Sequence, residues 1–471
     1  MKSTVQTGHI RRGARIALAT GLVVAGAGAA LAHATEGGLV LLLPTDVYTA
    51  AGAAAVALTV VLMAVLPERV TSWLFTPLTL VPLPLTRLPQ ITSMLVALVF
   101  LSLVWTGLSG PRDPLENPLT LGIWTGFWII LVTVQGLAFD IWRWVNPWLG
   151  PAAMLRGLGV RQMLPLPVRL GYAPAILTFL AFAAFLMADP APADPERLAR
   201  FGGLYWLLNL VAVLVFGPRW LGRGEGITLL MRSYARMSIM TRRGGRLALG
   251  LSGWQVLRTR VPRGGWAGFM LVILACGSFD GVNETFWWLN VLGLNPLEFP
   301  GRSAVVWQNL AGLLAANVLL VAIFAATIKA GLLLNQSPLK LREAVRLFAP
   351  TILPIALGYH IAHYYSAFLV EGQYLWVMVE GLAGVPHEGP GHAHHITTGF
   401  FNTTESMRRI WLTQAGAVVL GHVTAVILAH AVALRVFGTA RRALLSQAPL
   451  ALFMIAYTFF GLWLLASPRG L

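Results

Sequence analysis

Within the stretch LGYHIAHYYSAFLVEGQ, His360 and His363 stand three residues apart, which places both imidazoles on one face of a helix. Tyr364, Tyr365 and Glu371 continue that polar face. A polar side chain at membrane depth is costly and normally faces the bundle interior or a water-filled cavity. Two rings at this spacing can reach one metal ion. The alternative is that each ring hydrogen-bonds a backbone carbonyl or hydroxyl of a neighbouring helix. His422, in the next apolar run, is a third candidate ligand, and His430, close to Arg435, reads as interfacial.

Two further groups of histidines lie in the flanking segments. The tract VPHEGPGHAHH carries His387, His392, His394 and His395 among glycines and prolines. Imidazole without thiolate suits Zn(II), Cu(II) or Ni(II), so His392, His394 and His395 read as a metal-capturing arm or as a plain solvated loop. The basic residues Lys2, Arg11, Arg12 and Arg15, the apolar run Ile16 to Leu31 and the small residues at Ala30-Leu31-Ala32 read as a signal peptide over residues 1–32. Cleavage there would leave His33 first, offering its α-amine and ring as a chelate. The amine's pKa of about 7.7–8 leaves a neutral fraction at pH 7, and nitrogen ligation favours copper over zinc. The other reading is an uncleaved first helix.

Acidic residues near the same end complete the candidates. Asp280 and Glu284, in CGSFDGVNE, fall one turn apart if the helix continues through them, and would serve as general base, hard ligand or orienting partner of a histidine. They could equally mark where a helix meets water. Asp140, beside Trp142, Arg143 and Trp144, predicts a salt bridge at an aromatic belt.

The elements that must position these residues are membrane helices. Of the 471 residues, 57% are apolar and only 11% charged, against about 25% charge in soluble domains. Apolar runs near 47–66, 90–109, 119–139, 171–188, 203–217, 267–286, 305–334, 347–370, 411–434 and 449–466 predict ten spans. The fold class expected is all-α, a single transmembrane bundle over 33–471 with a His-rich outer loop at 373–410 and a basic inner loop at 218–266. Outside residues 1–32, 23 of the 30 Lys and Arg fall in alternate segments assigned to the inner side, which orients the bundle with both mature termini outside. Residues 70–89, with Pro77, Pro82, Pro84 and Pro89, read as an interfacial or re-entrant stretch rather than a span.

The ten arginines of 218–266 are explained by anionic lipid headgroups. The loop is too short and glycine-punctuated for a nucleic-acid module, so no nucleic-acid partner is expected. Gly222-Arg223-Gly224-Glu225-Gly226 follows no strand and is a poor phosphate cradle. A lone cysteine, Cys276, excludes an internal disulfide, a thiolate zinc site and an iron–sulfur cluster.

The blocks FDIWRWVNPW (139–148), RGEGITLLMRSYARMS (223–238), GSFDGVNE (277–284), YHIAHYYS (359–366), GHVTAVILAHAVALR (421–435) and SQAPLALFMIAYTFFGLWLLAS (446–467) resemble, in the same order, bacterial integral-membrane proteins known as fenitrothion hydrolase-like. The resemblance covers most of the chain beyond residue 32. It implies a mature sequence that begins with histidine after a signal peptide, a cytoplasmic-membrane location and cleavage of an organophosphate-type ester. The longer His-rich outer loop departs from that pattern, and no established catalytic motif carries across.

Together these residues predict a membrane-embedded metal-binding protein with an outward-facing site of His33, His360 and His363, with Asp280 or Glu284 nearby. A metal-dependent hydrolase or oxidase acting on an apolar substrate is one expectation. The others are a copper or other transition-metal handling protein, and a haem-anchoring subunit using His360 with His422 beside a further membrane subunit. Below His360, only Pro350, Thr351 and Pro354 break the apolar run towards the inner side, which favours a dead-end site over a transport path.

Overall fold

The computed structural model describes residues 39, 40, 42–65, 68–82, 88–259, 262, 265–299, 301–383 and 396–469. The signal segment 1–32, His33, and His387, His392, His394 and His395 of the outer loop lie outside the described residues. The chain is a helical bundle. Its main helices are α1 (Thr45–Val65), α2 (Leu88–Ser109), α3 (Pro118–Leu137), α4 (Ala173–Ala188), α5 (Pro195–Phe216), α6 (Gly226–Tyr234), α7 (Trp266–Val282), α8 (Val306–Leu334), α9 (Leu353–Leu382), α10 (Thr404–Phe437) and α11 (Ala440–Ala466).

Eight helical segments among the described residues are long and apolar enough to cross a membrane. The other two expected spans fall on the shorter apolar helices α4 and α7, of 16 and 17 residues. Leu58, Val61 and Leu62 of α1, Leu95, Leu98 and Trp105 of α2, and Leu314, Val318 and Leu319 of α8 are exposed. In water such faces would drive aggregation; in a bilayer they meet acyl chains. By contrast α7 is buried along nearly its whole length.

Local chemistry sets the ends. Asp194 caps α5 by accepting from the Arg197 N–H at 2.9 Å, with Pro195 in the first turn where its missing N–H costs nothing. Thr403 caps α10. At its other end Gly438 takes a left-handed φ of 73°, a conformation that only glycine adopts freely. Pro449 lies inside α11 rather than opening it, so this helix begins nine residues earlier than its apolar run. Lipid-embedded helices tolerate such a proline because neighbours satisfy the freed carbonyl.

The basic segment 218–266 and the stretch before α2 hold structure that hydropathy does not announce. Residues 78–82 form a strand, β1 (Leu78–Pro82), which pairs antiparallel with β3 (Arg246–Leu249) of a hairpin whose other arm is β2 (Met240–Arg243). The proline-rich stretch is therefore one edge of a small sheet ordered β1-β3-β2, consistent with its not being a span. Pro82 sits at the strand's end, where no ladder donor is needed.

Helix α6 is fixed by Glu225, which is fully buried and accepts from the backbone N–H groups of Ile227 at 2.7 Å and Thr228 at 2.5 Å. Tyr205 of α5 donates to the same carboxylate. The glycine-rich segment thus surrounds a carboxylate of its own, which fills the position an anion would take at that helix start.

One expectation needs correction here. Asp140 forms no salt bridge among the described residues; it accepts from Gln135 Nε2 at 2.9 Å, while Arg143 lies over the Trp144 ring at 5.8 Å. His430 is buried and accepts from Gln447 Nε2 of α11 at 3.2 Å.

Candidate functional site

Helices α7, α9, α3 and α4, with Leu230 and Tyr234 of α6, enclose a cavity of about 40 Å³. A buried water needs about 10–15 Å³ on this measure, so the space takes about three waters. Its polar lining comes from His360, His363, Tyr359 and Tyr364 of α9 and Asp280 and Cys276 of α7, set in a wall that includes Trp128, Phe179 and Phe182.

The spacing of His360 and His363 does what the sequence requires of it: both rings face this one cavity. His360 is buried, with Nε2 at 3.0 Å from the Trp128 carbonyl. A carbonyl only accepts, so Nε2 carries the proton and Nδ1 of the neutral ring keeps its lone pair. Trp128 belongs to a π-helical stretch, Leu121–Leu131, inside α3. Its indole also meets the His360 ring edge-on at 5.2 Å. Such widened turns recur at functional sites.

His363 is held by a carboxylate. Its Nε2 lies 3.1 Å from Asp280 Oδ2, and Tyr364 donates to the same oxygen at 2.5 Å. The ring stacks on Tyr359 at 5.6 Å between centroids. Its other nitrogen, Nδ1, is buried without a hydrogen-bond partner, as is the Tyr359 hydroxyl. That hydroxyl sits against Gly281, where a Cβ would come within 1.8 Å of it. Any side chain at 281 would displace Tyr359 from the site.

Cys276 lines the same cavity, with Asn317 Nδ2 3.5 Å from its sulfur. Higher on α9, Glu371 accepts from Thr125 of α3 at 2.6 Å. The polar face seen in the sequence therefore continues outward as a tie between α9 and the π-helical segment.

Glu284 does not join Asp280. Helix α7 stops at Val282, and Thr285 caps a short following helix, Phe286–Val291, so the chain turns between the two acids. Glu284 is partly exposed and 3.9 Å from Arg302.

His422 also stands apart. It is buried on α10, with Nδ1 at 2.9 Å from the Val418 carbonyl and Nε2 without a partner, and it does not line the cavity. A haem between His360 and His422 does not fit, because α9 and α10 touch backbone to backbone there. A Cβ on Gly358 would lie 2.5 Å from the Ala417 carbonyl oxygen, and one on Gly421 would lie 2.6 Å from that of Pro354.

Among the described residues, no three His, Cys, Asp or Glu side chains gather closely enough to hold one ion. The donor set at the cavity is nonetheless suited to a borderline metal. Two imidazoles have one nitrogen tied to an oxygen acceptor and the other left as a lone pair, and one of them is oriented by a carboxylate as metal-binding histidines are. Tyr364 was not foreseen as a partner, whereas the Trp128 carbonyl is the neighbouring-helix acceptor that the sequence offered for His360 as the alternative to a metal. Tyr364, four residues after His360, shares its helix face and was open to inference; the carbonyl depends on the π-helical geometry of another helix. Comparison with family models, curated proteins and solved structures returns no match.

Proposed function

We propose that this protein binds a transition-metal ion, copper in preference to zinc, at an intramembrane site built on His360 and His363. One observation carries the reading: the buried, unpartnered His363 Nδ1, on a ring whose opposite nitrogen is fixed by Asp280. A buried polar atom left unsatisfied costs about 1–3 kcal/mol, and a ligand that accepts its lone pair offsets that cost. His360 is the second donor, and water completes the shell. Bound there, the ion would act as a Lewis acid or a redox centre. Asp280 orients His363 and Tyr364 holds Asp280; neither is required as a ligand.

The cavity volume favours handling of the ion over hydrolysis of a bulky ester: about 40 Å³ admits waters and an ion, not a triester. The hydrolase implied by the family resemblance would need the surrounding aromatic wall to open. In our reading ten spans cross the bacterial cytoplasmic membrane after a cleaved signal peptide. The arginine-rich end meets anionic headgroups of the cytoplasmic leaflet, so the histidine site lies in the outer half.

The row Tyr364–Asp280–His363 supports a second reading, a proton relay. Elemental analysis of the purified protein after exposure to Cu(II) and Zn(II) separates the two. The metal reading expects about one ion per chain, lost in His363→Ala and strongly reduced in His360→Ala. Metal content unchanged in the double variant His360→Ala/His363→Ala would reject it.

A further inference from the structure

On another face of α6, through Thr228 and Arg232, lies the largest concave surface among the cavities described, a pocket of about 690 Å³. Arg143, Arg219, Arg223 and Arg232 all line it, against a single acid, Asp140. Asp140 is engaged by Gln135, and none of the four arginines pairs with a carboxylate among the described residues. Two of them are braced by the protein itself. Arg223 donates to the carbonyls of Gly171 at 3.2 Å and Val168 at 3.3 Å, and Arg232 donates to that of Gly222 at 3.1 Å. Arg232 also lies over the Trp266 ring at 5.0 Å. Among the described residues, the Arg219 side chain makes no hydrogen bond or ion pair. Four guanidinium groups held in one concavity against a single carboxylate form a site for a multiply accepting anion, and phosphate is the group their fork geometry suits.

A second feature says what is attached to that anion. Trp142, one wall of the arginine pocket, is also a wall of an apolar groove of about 210 Å³ between α2, α3 and α5. Along α3 the groove is lined by Leu119, Gly122, Ile123, Phe127 and Leu131. That run of helix covers on the order of 15 Å, about half of a ~30 Å hydrocarbon core. The groove thus reaches from the arginine pocket across roughly one leaflet's depth, on a side of the bundle whose neighbouring α2 residues Leu95, Leu98 and Trp105 are exposed. Trp142 is itself fixed, with Nε1 donating to Thr228 Oγ1 at 3.1 Å, and Asn146 donates to the same hydroxyl at 3.1 Å.

We infer that this paired pocket and groove is a binding site for one anionic phospholipid, its phosphate held by Arg143, Arg219, Arg223 and Arg232 and an acyl chain lying in the groove. The inference rests on the reading that the arginine-rich end meets anionic lipid, and sharpens it from general attraction to a defined site. It is independent of the histidine site.

The test uses the full-length protein in a neutral detergent, titrated with short-chain phosphatidylglycerol, short-chain phosphatidylcholine and inorganic phosphate, with bound lipid counted by native mass spectrometry. One phosphatidylglycerol should bind with clear preference over phosphatidylcholine. Arg143→Gln/Arg219→Gln, which removes the two arginines whose side chains donate no hydrogen bond among the described residues, should weaken that binding roughly 30-fold without lowering the lipid-free melting temperature. Gly202→Leu places a side chain into the groove, where a Cβ meets nothing closer than 3.7 Å. It should weaken lipid binding but leave inorganic phosphate binding unchanged.

Equal binding of the two lipids would overturn the inference, as would inorganic phosphate binding as tightly as phosphatidylglycerol. Preference for anionic lipid that survives in the double arginine variant would leave general headgroup attraction standing and overturn the defined site.

Discussion

The two polar pockets that share α6 treat polar groups in opposite ways. At the histidine pocket, Asp280, His363, Tyr364 and His360 are packed around about 40 Å³ and bonded to one another or to a backbone carbonyl. At the arginine pocket, four guanidinium groups surround about 690 Å³ with no ion-paired carboxylate among the described residues. A buried polar network in a low-dielectric interior is costly when any member is lost; solvated arginines at a headgroup surface are not. The lesson is that polarity within one membrane protein divides into groups whose partners are built in and groups whose partner comes from outside. His363 Nδ1, with the Tyr359 hydroxyl and Trp128 Nε1, is an exception at the first pocket, a built-in group with one position left open.

Substitutions should separate the two pockets by the size of their effect. Asp280→Ala removes the acceptor for both His363 and Tyr364, and breaking a buried pair costs about 3–5 kcal/mol. Unfolding titrations in mixed detergent micelles should show a loss of that order, with Asp280→Asn losing less because an acceptor oxygen remains. Gly421→Ala forces a Cβ against the Pro354 carbonyl oxygen, and overpacking of this kind costs about 1–3 kcal/mol. The same titration should place it between the two extremes, with α9 and α10 pushed apart beneath the site. Arg219→Gln, at the open pocket, should change unfolding free energy by less than about 0.5 kcal/mol while lowering phosphatidylglycerol binding. An Arg219 variant as destabilised as Asp280→Ala would abolish the contrast.

Much of this arrangement is legible in the sequence, for definite reasons. Apolar runs of about 20 residues locate helices because the hydrocarbon core sets their length, and every segment marked as a span carries one. The i, i+3 spacing of His360 and His363 survives into a shared cavity because a helix preserves it. Asp280 was picked out by its position near the end of α7, but its pairing with His363 is a contact between helices that spacing alone cannot give. Glu284 misled because one turn of separation matters only if the helix lasts, and α7 ends two residues earlier. The sheet joining residues 78–82 to 240–249 was hidden for another reason: short strands among prolines and arginines carry no periodicity strong enough to read. His422 shows a third limit, since depth along a helix does not say which way a side chain faces.

The account turns on whether the open nitrogen of His363 is a ligand. X-ray absorption on the copper-loaded protein, compared with His363→Ala, tests that most directly. The account predicts imidazole scattering from at least two rings in the parent protein, with one ring fewer in the variant. Copper held without imidazole neighbours, or a spectrum identical in the two proteins, would contradict it.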